Sequence, residues 1–229
     1  MTKILFLPGA GGSPGFWHPV GTRLPADWPK EYFGWPGLGN QPHDLSIKGV
    51  DDLMRLVEAK MDEPVDLVAQ SMGGVIAARL ALARPQQLRR LVLCVTSGGV
   101  DMTGLGASDW RSDYRASFPN AADWITASRS ASLLPVEKID VPTLLIWGDA
   151  DAISPVAVGR HLALGIDAQH FRMLGFKKPL HLEGHHDELD VEPLLTSCNL
   201  GLGAEHAERT GIELHAGKAN MTCPASRTT

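Results

Sequence analysis

Residues 64–84, PVDLVAQSMGGVIAARLALAR, constrain the fold more than any other segment. Val65-Asp66-Leu67-Val68-Ala69 is a short apolar run of strand length, and the amphipathic run from Val75 to Ala83 reads as a helix. Only Gln70-Ser71-Met72-Gly73-Gly74 separates them. A chain that passes from strand to helix in so few residues must take a sharp, strained turn. Small residues on either side of Ser71 let the two elements pass closely. The spacing therefore holds the Ser71 hydroxyl out at the tip of the turn, above the carboxyl edge of a sheet. The plain alternative is a serine that N-caps a helix after a strand. The flanking strand and helix favour the strained turn.

The rest of the chain alternates in the same way. KILFL at 3–7 reads as a central strand that runs into the turn-rich loop Pro8-Gly9-Ala10-Gly11-Gly12-Ser13-Pro14-Gly15. Tyr32 to Trp35 reads as a second strand, closed by the turn-rich Pro36 to Pro42. Apolar residues at Val50, Leu53, Met54, Val57 and Met61 have helical spacing. Further strands are expected over Leu88–Val95, Thr143–Trp147 and Gln169–Leu174, with a helix over Pro155–Leu164 whose proline falls in the first turn. Strands alternating with helices imply an α/β fold: a mostly parallel central sheet of about six strands, flanked by helices. Reactive groups then sit on loops at the carboxyl ends of the strands.

The domain expectation is one unit over 1–195, with a short helical lid inserted at about 101–137. In that insertion Trp110, Tyr114, Phe118 and Trp124 are scattered among polar residues. Residues 196–229 lose all periodicity and read as an irregular or disordered tail. The 229 residues suit one domain. A net charge of -5 and the absence of any basic run argue against nucleic acid or an anionic membrane surface as partner. The start has four consecutive apolar residues before Pro8, too few for a secretory core, and no stretch approaches the ~18 needed to span a bilayer. A cytoplasmic location is the resulting expectation. The three cysteines are widely spaced, so a disulfide framework is not expected, and Cys94 reads as a small buried hydrophobe.

The order of these pieces resembles the α/β-hydrolase superfamily over roughly residues 3–190. The resemblance rests on LFLPGAGG, WPGLG, AQSMGG and PTLLIWGDADAISP. AQSMG stands where the superfamily has G-x-S-x-G, with Ala69 in place of the first glycine. The family's antiparallel leading strands have no counterpart before Lys3, which implies a compact version. Members of this kind are usually small esterases, lactonases, carbon–carbon bond hydrolases or cofactor-free relatives.

The resemblance implies a catalytic set in the chain order Ser, Asp, His. Ser71 is the expected nucleophile. Asp151, in GDADAISP, takes the position of the acid, with Asp149 bracing the loop and Asp101 in reserve. His181 is nearest the expected place of the base, with His185 and His186 as alternatives. The usual Gly-His pair is missing just after the last strand, where Lys177 and Lys178 stand. Backbone amides of Ala10 and Met72 are the expected oxyanion donors. Phe16, Trp17, Gln70, Trp110 and Trp124 are expected to line the substrate pocket, or else to belong to the core.

Two other chemistries are weaker. PGAGG lacks the G-x-G-x-x-G spacing of a dinucleotide loop and has Pro14 where a helix should start. His181 and His185 have a zinc-gripping spacing, but Gly184 interrupts a helix there. No cofactor or metal is expected. The functional expectation is a serine hydrolase acting on a small ester, thioester or related acyl substrate through an acyl-enzyme. The alternative is a non-catalytic scaffold of the same fold that binds a small molecule or protein partner. The sequence leaves oligomeric state open.

Overall fold

A computed structural model describes residues 3–127, 133–166 and, as backbone only, 170–174. The first strand, β1 (Ile4–Leu7), is fully buried. A 3-10 turn at Pro14–Trp17 and the short helix α1 (His18–Gly21) lead to β2 (Lys30–Tyr32). Then follow α2 (Val50–Glu58), β3 (Val65–Gln70), α3 (Met72–Ala83) and β4 (Leu88–Cys94). Beyond β4 come two short helices, α4 (Arg111–Ser117) and α5 (Trp124–Ala127), and then β5 (Thr143–Gly148), α6 (Val156–Ile166) and β6 (His170–Leu174).

The strands form one parallel sheet in the order β2-β1-β3-β4-β5-β6. The α/β reading of the sequence holds, including its six strands. Strands in such a sheet are covered on both faces, which is why β1, β3, β4 and β5 read as near-continuous apolar runs rather than as alternating ones. The order reverses after β1: the chain steps to β2 on one side, then crosses back to β3 on the other. With right-handed crossovers, α1 falls on one face, and α2 and α3 on the opposite one. Ligands of open α/β sheets bind in the crevice outside the strand ends where such a reversal occurs. Here that crevice lies between the loop after β1 and the turn after β3.

One element differs from expectation. The second strand runs over Lys30–Tyr32, paired with Ile4–Phe6, rather than over Tyr32–Trp35. Phe33 donates the last ladder bond, to the Phe6 carbonyl (2.9 Å). Trp35 then leaves the ladder because its own donors are used elsewhere. Its amide bonds the Gly12 carbonyl (3.0 Å) and its buried indole Nε1 bonds the Pro8 carbonyl (2.8 Å). Among the described residues no helix is long and apolar enough to cross a membrane.

The core follows the sheet. Trp35, Trp147, Phe6, Leu67, Leu91 and Leu93 are among its fully buried side chains. Replacing Trp35 by Phe removes the donor to Pro8 and shrinks a buried side chain. The expected loss is about 2–4 kcal/mol of unfolding free energy, read from urea denaturation. A loss below ~0.5 kcal/mol would mean that the indole does not hold the loop.

Asp66, near the start of β3, shows the cost of a carboxylate in this sheet. Its Oδ1 is buried and has no hydrogen-bond partner among the described residues. Burial raises its pKa, while Arg89 and Arg90 pull it partly back. A carboxyl with a raised folded-state pKa binds more protons folded than unfolded. Its burden on stability is therefore absent below the unfolded value and grows as pH rises through the folded one. Asp66→Asn should raise the melting temperature at pH 7 and leave it nearly unchanged at pH 3. Equal shifts at both pH values would contradict this.

Candidate active site

Ser71 follows β3 directly and precedes the first residue of α3. Its φ of +51° and ψ of -120° lie in a region that non-glycine residues rarely adopt. Three bonds hold it there. The Ser71 amide donates to the Cys94 carbonyl (3.0 Å), extending the β3–β4 ladder by one residue. The Ser71 carbonyl accepts from the Gly74 amide (2.9 Å) in the first turn of α3 and from the Thr96 hydroxyl (2.6 Å). Thr96 Oγ1 in turn accepts from the Gly98 amide (3.0 Å).

The residue before Thr96 is also strained. Val95 has φ +40°, a genuine outlier for a β-branched residue. Its amide bonds the Ile146 carbonyl (3.0 Å). This bend at the end of β4 brings the buried Thr96 beneath the serine turn. Two adjacent strands thus end in matched bends, one of which braces the other. Gly73 explains the close approach of α3 to β1. A Cβ there would lie 2.5 Å from the Pro8 carbonyl oxygen and 2.7 Å from that of Leu7.

The loop after β1 faces this turn. A Cβ built on Gly9 would fall 3.0 Å from Ser71 Cβ and would collide with Gln70 Oε1. The loop's carbonyls are held from several directions. Trp17 Nε1 donates to Leu7 (3.0 Å), Trp35 Nε1 to Pro8 (2.8 Å) and the Gly12 amide to Gly9 (3.1 Å). The Tyr114 hydroxyl donates to Ala10 (2.9 Å) and the Trp35 amide to Gly12 (3.0 Å). Among the described residues the Ala10 and Met72 amides donate to no acceptor. Both residues are half-buried.

Asp151 lies in the loop after β5 and is 4% exposed. Its Oδ1 accepts from the amides of Ile153 (2.9 Å) and Ser154 (2.8 Å). The loop is anchored below by Trp147 Nε1, which donates to the Ser154 carbonyl (2.9 Å). The other two carboxylates weighed from the sequence sit differently. Asp149 is exposed and borders an open groove with Arg160 and His161. Asp101 is exposed, and its carboxylate is held below the usual range by hydrogen bonds from Thr103. Of the three, only Asp151 is both buried and fixed in orientation. Because the sheet is parallel, Ser71 and Asp151 rise from the same edge, two strands apart. That separation is roughly 10 Å.

The aromatic residues divide. Trp17 is buried with its indole committed to Leu7, and Phe16 packs edge-on against it at 5.0 Å. Gln70 is 2% exposed beneath the Gly9 loop. Trp110 packs edge-on against Tyr114 at 5.4 Å, and half-buried Trp124 packs against the core. His181, His185 and His186 lie outside the described residues, as does the tail 196–229. Tyr114, Thr96 and Val95 were not singled out from the sequence as site residues. Thr96 carries no local signal. Tyr114 is one of only two tyrosines, but it lies in a weakly patterned stretch.

A model of the Alpha/beta hydrolase family matches residues 4–185. The chain belongs to that family. A pimeloyl-[acyl-carrier protein] methyl ester esterase of Neisseria meningitidis serogroup C is 28% identical over 208 residues, covering 70% of this chain and 79% of the relative. A putative carbamate hydrolase of Azorhizobium caulinodans is 30% identical over 96 residues, covering 40% of this chain and 36% of the relative. Among solved structures, Est816, an N-acyl homoserine lactone degrading enzyme, superposes with a TM-score of 0.65 at 19% identity, covering 89% and 93% of the two chains. A lipase-esterase related protein from Clostridium acetobutylicum gives 0.62 at 14% identity, covering 87% and 93%. At those identities the structural likeness speaks to fold alone.

The turn itself is open to test. Gly73→Ala places a methyl group against backbone rather than against a movable side chain. It should cost about 1–3 kcal/mol in urea denaturation. A neutral substitution would mean that α3 does not press on β1 as described.

Proposed function

We propose that this protein is a serine hydrolase that cleaves a small ester, thioester or related acyl substrate through an acyl-enzyme on Ser71. The observation that carries the reading is the strained Ser71 at the reversal crevice, facing a loop whose Ala10 amide, like that of Met72, has no acceptor among the described residues. Strain of this kind persists only where surrounding structure enforces it, and it collects at functional sites.

The chemistry follows from the parts. A serine hydroxyl is a weak nucleophile until a base takes its proton. Asp151 fits the residue that orients and stabilises such a base, since it is buried and its Oδ1 is fixed by two amides. The gap of roughly 10 Å between its strand and that of Ser71 suits an intervening imidazole. His181 is our candidate for that imidazole, ahead of His185 and His186. Attack on the substrate carbonyl places negative charge on its oxygen, and the Ala10 and Met72 amides would receive it. Donors of this type contribute about 2.7–4 kcal/mol each to the transition state. Water then releases the acyl group by the same route. The names of the relatives, esterases and a carbamate hydrolase, support acyl transfer to water. Phe16, Trp110 and Trp124 would shape the acyl side of the pocket.

A fluorophosphonate probe should label the wild-type protein on the peptide that carries Ser71, and should leave Ser71→Ala unlabelled. Turnover of p-nitrophenyl esters of graded acyl length should vanish with Ser71→Ala and fall by about 10⁴-fold in kcat with Asp151→Asn. An imidazole base predicts that kcat/KM falls on the acid side of about pH 6.5. His181→Ala should cost more than His185→Ala or His186→Ala. Turnover unaffected by Ser71→Ala would overturn the proposal, and absence of any turnover would favour the binding scaffold.

A further inference from the structure

Tyr114 is the only lid residue found bonded to the Gly9–Gly12 loop among the described residues. Its hydroxyl is buried and, among the described residues, bonds two backbone groups. It accepts from the Gly39 amide (3.0 Å) and donates to the Ala10 carbonyl (2.9 Å). The relay therefore runs from the loop after β2, through a side chain of α4, to the loop after β1. Those two loops already interlock. Gly39 has φ +55°, and a Cβ there would collide with the Gly11 carbonyl. The lid is seated on the same ground by the Ala122 amide, which donates to the Gly37 carbonyl (2.7 Å), and by the His43 Nε2 contact with the Asn120 carbonyl (2.8 Å). The tyrosine ring is clamped by Trp110 at 5.4 Å and Phe118 at 5.0 Å.

We propose that the Tyr114 hydroxyl is a positioning residue for the oxyanion hole. It acts by pinning the Ala10 carbonyl, so that the Ala10 amide stands ready where negative charge develops. The inference rests on the reading of the site given above. Gly9 and Gly12 close a tight turn, with Ala10 and Gly11 at its centre. The central peptide of such a turn can adopt either of two orientations, and a glycine beside it makes the exchange easy. The Gly12 amide holds the Gly9 carbonyl and Tyr114 holds the Ala10 carbonyl. The Ala10 amide lies between these two pinned groups. Without the phenol, the Ala10 carbonyl and the Gly39 amide both lose this partner. The peptide that joins Ala10 to Gly11 is then free to rotate, so Ala10 is fixed through the Gly9 carbonyl on one side but not on the other, and its own amide gains freedom. Preorganised donors are effective because they need no rearrangement when charge appears. A loop that must first be ordered loses that advantage at the transition state and not in the ground state.

The test is Tyr114→Phe, which keeps the ring and its packing. With a p-nitrophenyl ester, kcat should fall about 10- to 100-fold while KM changes less than about twofold. A trifluoromethyl ketone that forms a reversible tetrahedral adduct on Ser71 should inhibit more weakly by the same factor as kcat/KM. A substrate-like amide that forms no adduct should bind equally well to both proteins. Unchanged kcat and unchanged ketone inhibition would overturn the proposal, as would a loss confined to KM. These outcomes are distinct from failure of the hydrolase reading, in which the wild-type protein shows no Ser71-dependent turnover. Should Tyr114→Phe not fold, fluorotyrosine at position 114 in a Tyr32→Phe background supplies the readout. Its ¹⁹F resonance should shift when the trifluoromethyl ketone adduct forms on Ser71 and stay in place with the substrate-like amide, and a resonance unmoved by the adduct would overturn the proposal.

Discussion

The left-handed backbone at Ser71 is the constraint on which the rest of the site depends. One residue converts the direction of β3 into that of α3, and it does so against its own conformational preference. Three hydrogen bonds oppose the strain, two from the end of β4 and one from the first turn of α3. The bracing end of β4 is strained as well, at Val95. Neither bend could stand on an isolated hairpin or helix. Both are enforced by a parallel sheet whose central strands are buried on both faces, so that the core stabilises a turn that would relax if exposed.

The same economy governs the loop after β1. Two buried tryptophans, both core residues by their exposure, direct their indole Nε1 atoms to the carbonyls where β1 passes into this loop, Trp17 to Leu7 and Trp35 to Pro8. A buried indole needs an acceptor, and a buried carbonyl needs a donor. Each satisfies the other, and the result is a glycine-rich segment that does not behave as a free loop. Packing and site geometry are therefore one problem in this part of the molecule. Trp17 and Phe16 illustrate it. Trp17 is a core residue that orients the loop, and its neighbour Phe16 packs edge-on against it and stays half-buried.

Much of the architecture was legible in the sequence because it is local. KILFL, VDLVAQ, LRRLVLC and TLLIWG carry the largely apolar character of doubly covered strands, and each lies within a residue or two of its expected bounds. The serine turn was legible because strand, small residues and helix follow one another without a gap. The strand expected over 32–35 starts two positions earlier and ends three positions earlier. The cause is a long-range choice: Trp35 bonds the Gly12 and Pro8 carbonyls instead of extending the ladder. Tyr114 and Thr96 were missed as site residues for the same reason. Their partners lie 104 and 25 residues away, and no spacing rule connects them. The motif in the sequence sets Asp151 apart from Asp149 and Asp101, and of the three it is the one that the fold buries.

The most direct test of the account is a crystal structure of the protein after reaction with a small alkyl fluorophosphonate. The account predicts a covalent bond to Ser71 Oγ, with the phosphonyl oxygen about 2.7–3.1 Å from the backbone nitrogens of both Ala10 and Met72. An adduct on another residue, or a phosphonyl oxygen turned away from those two amides, would contradict it.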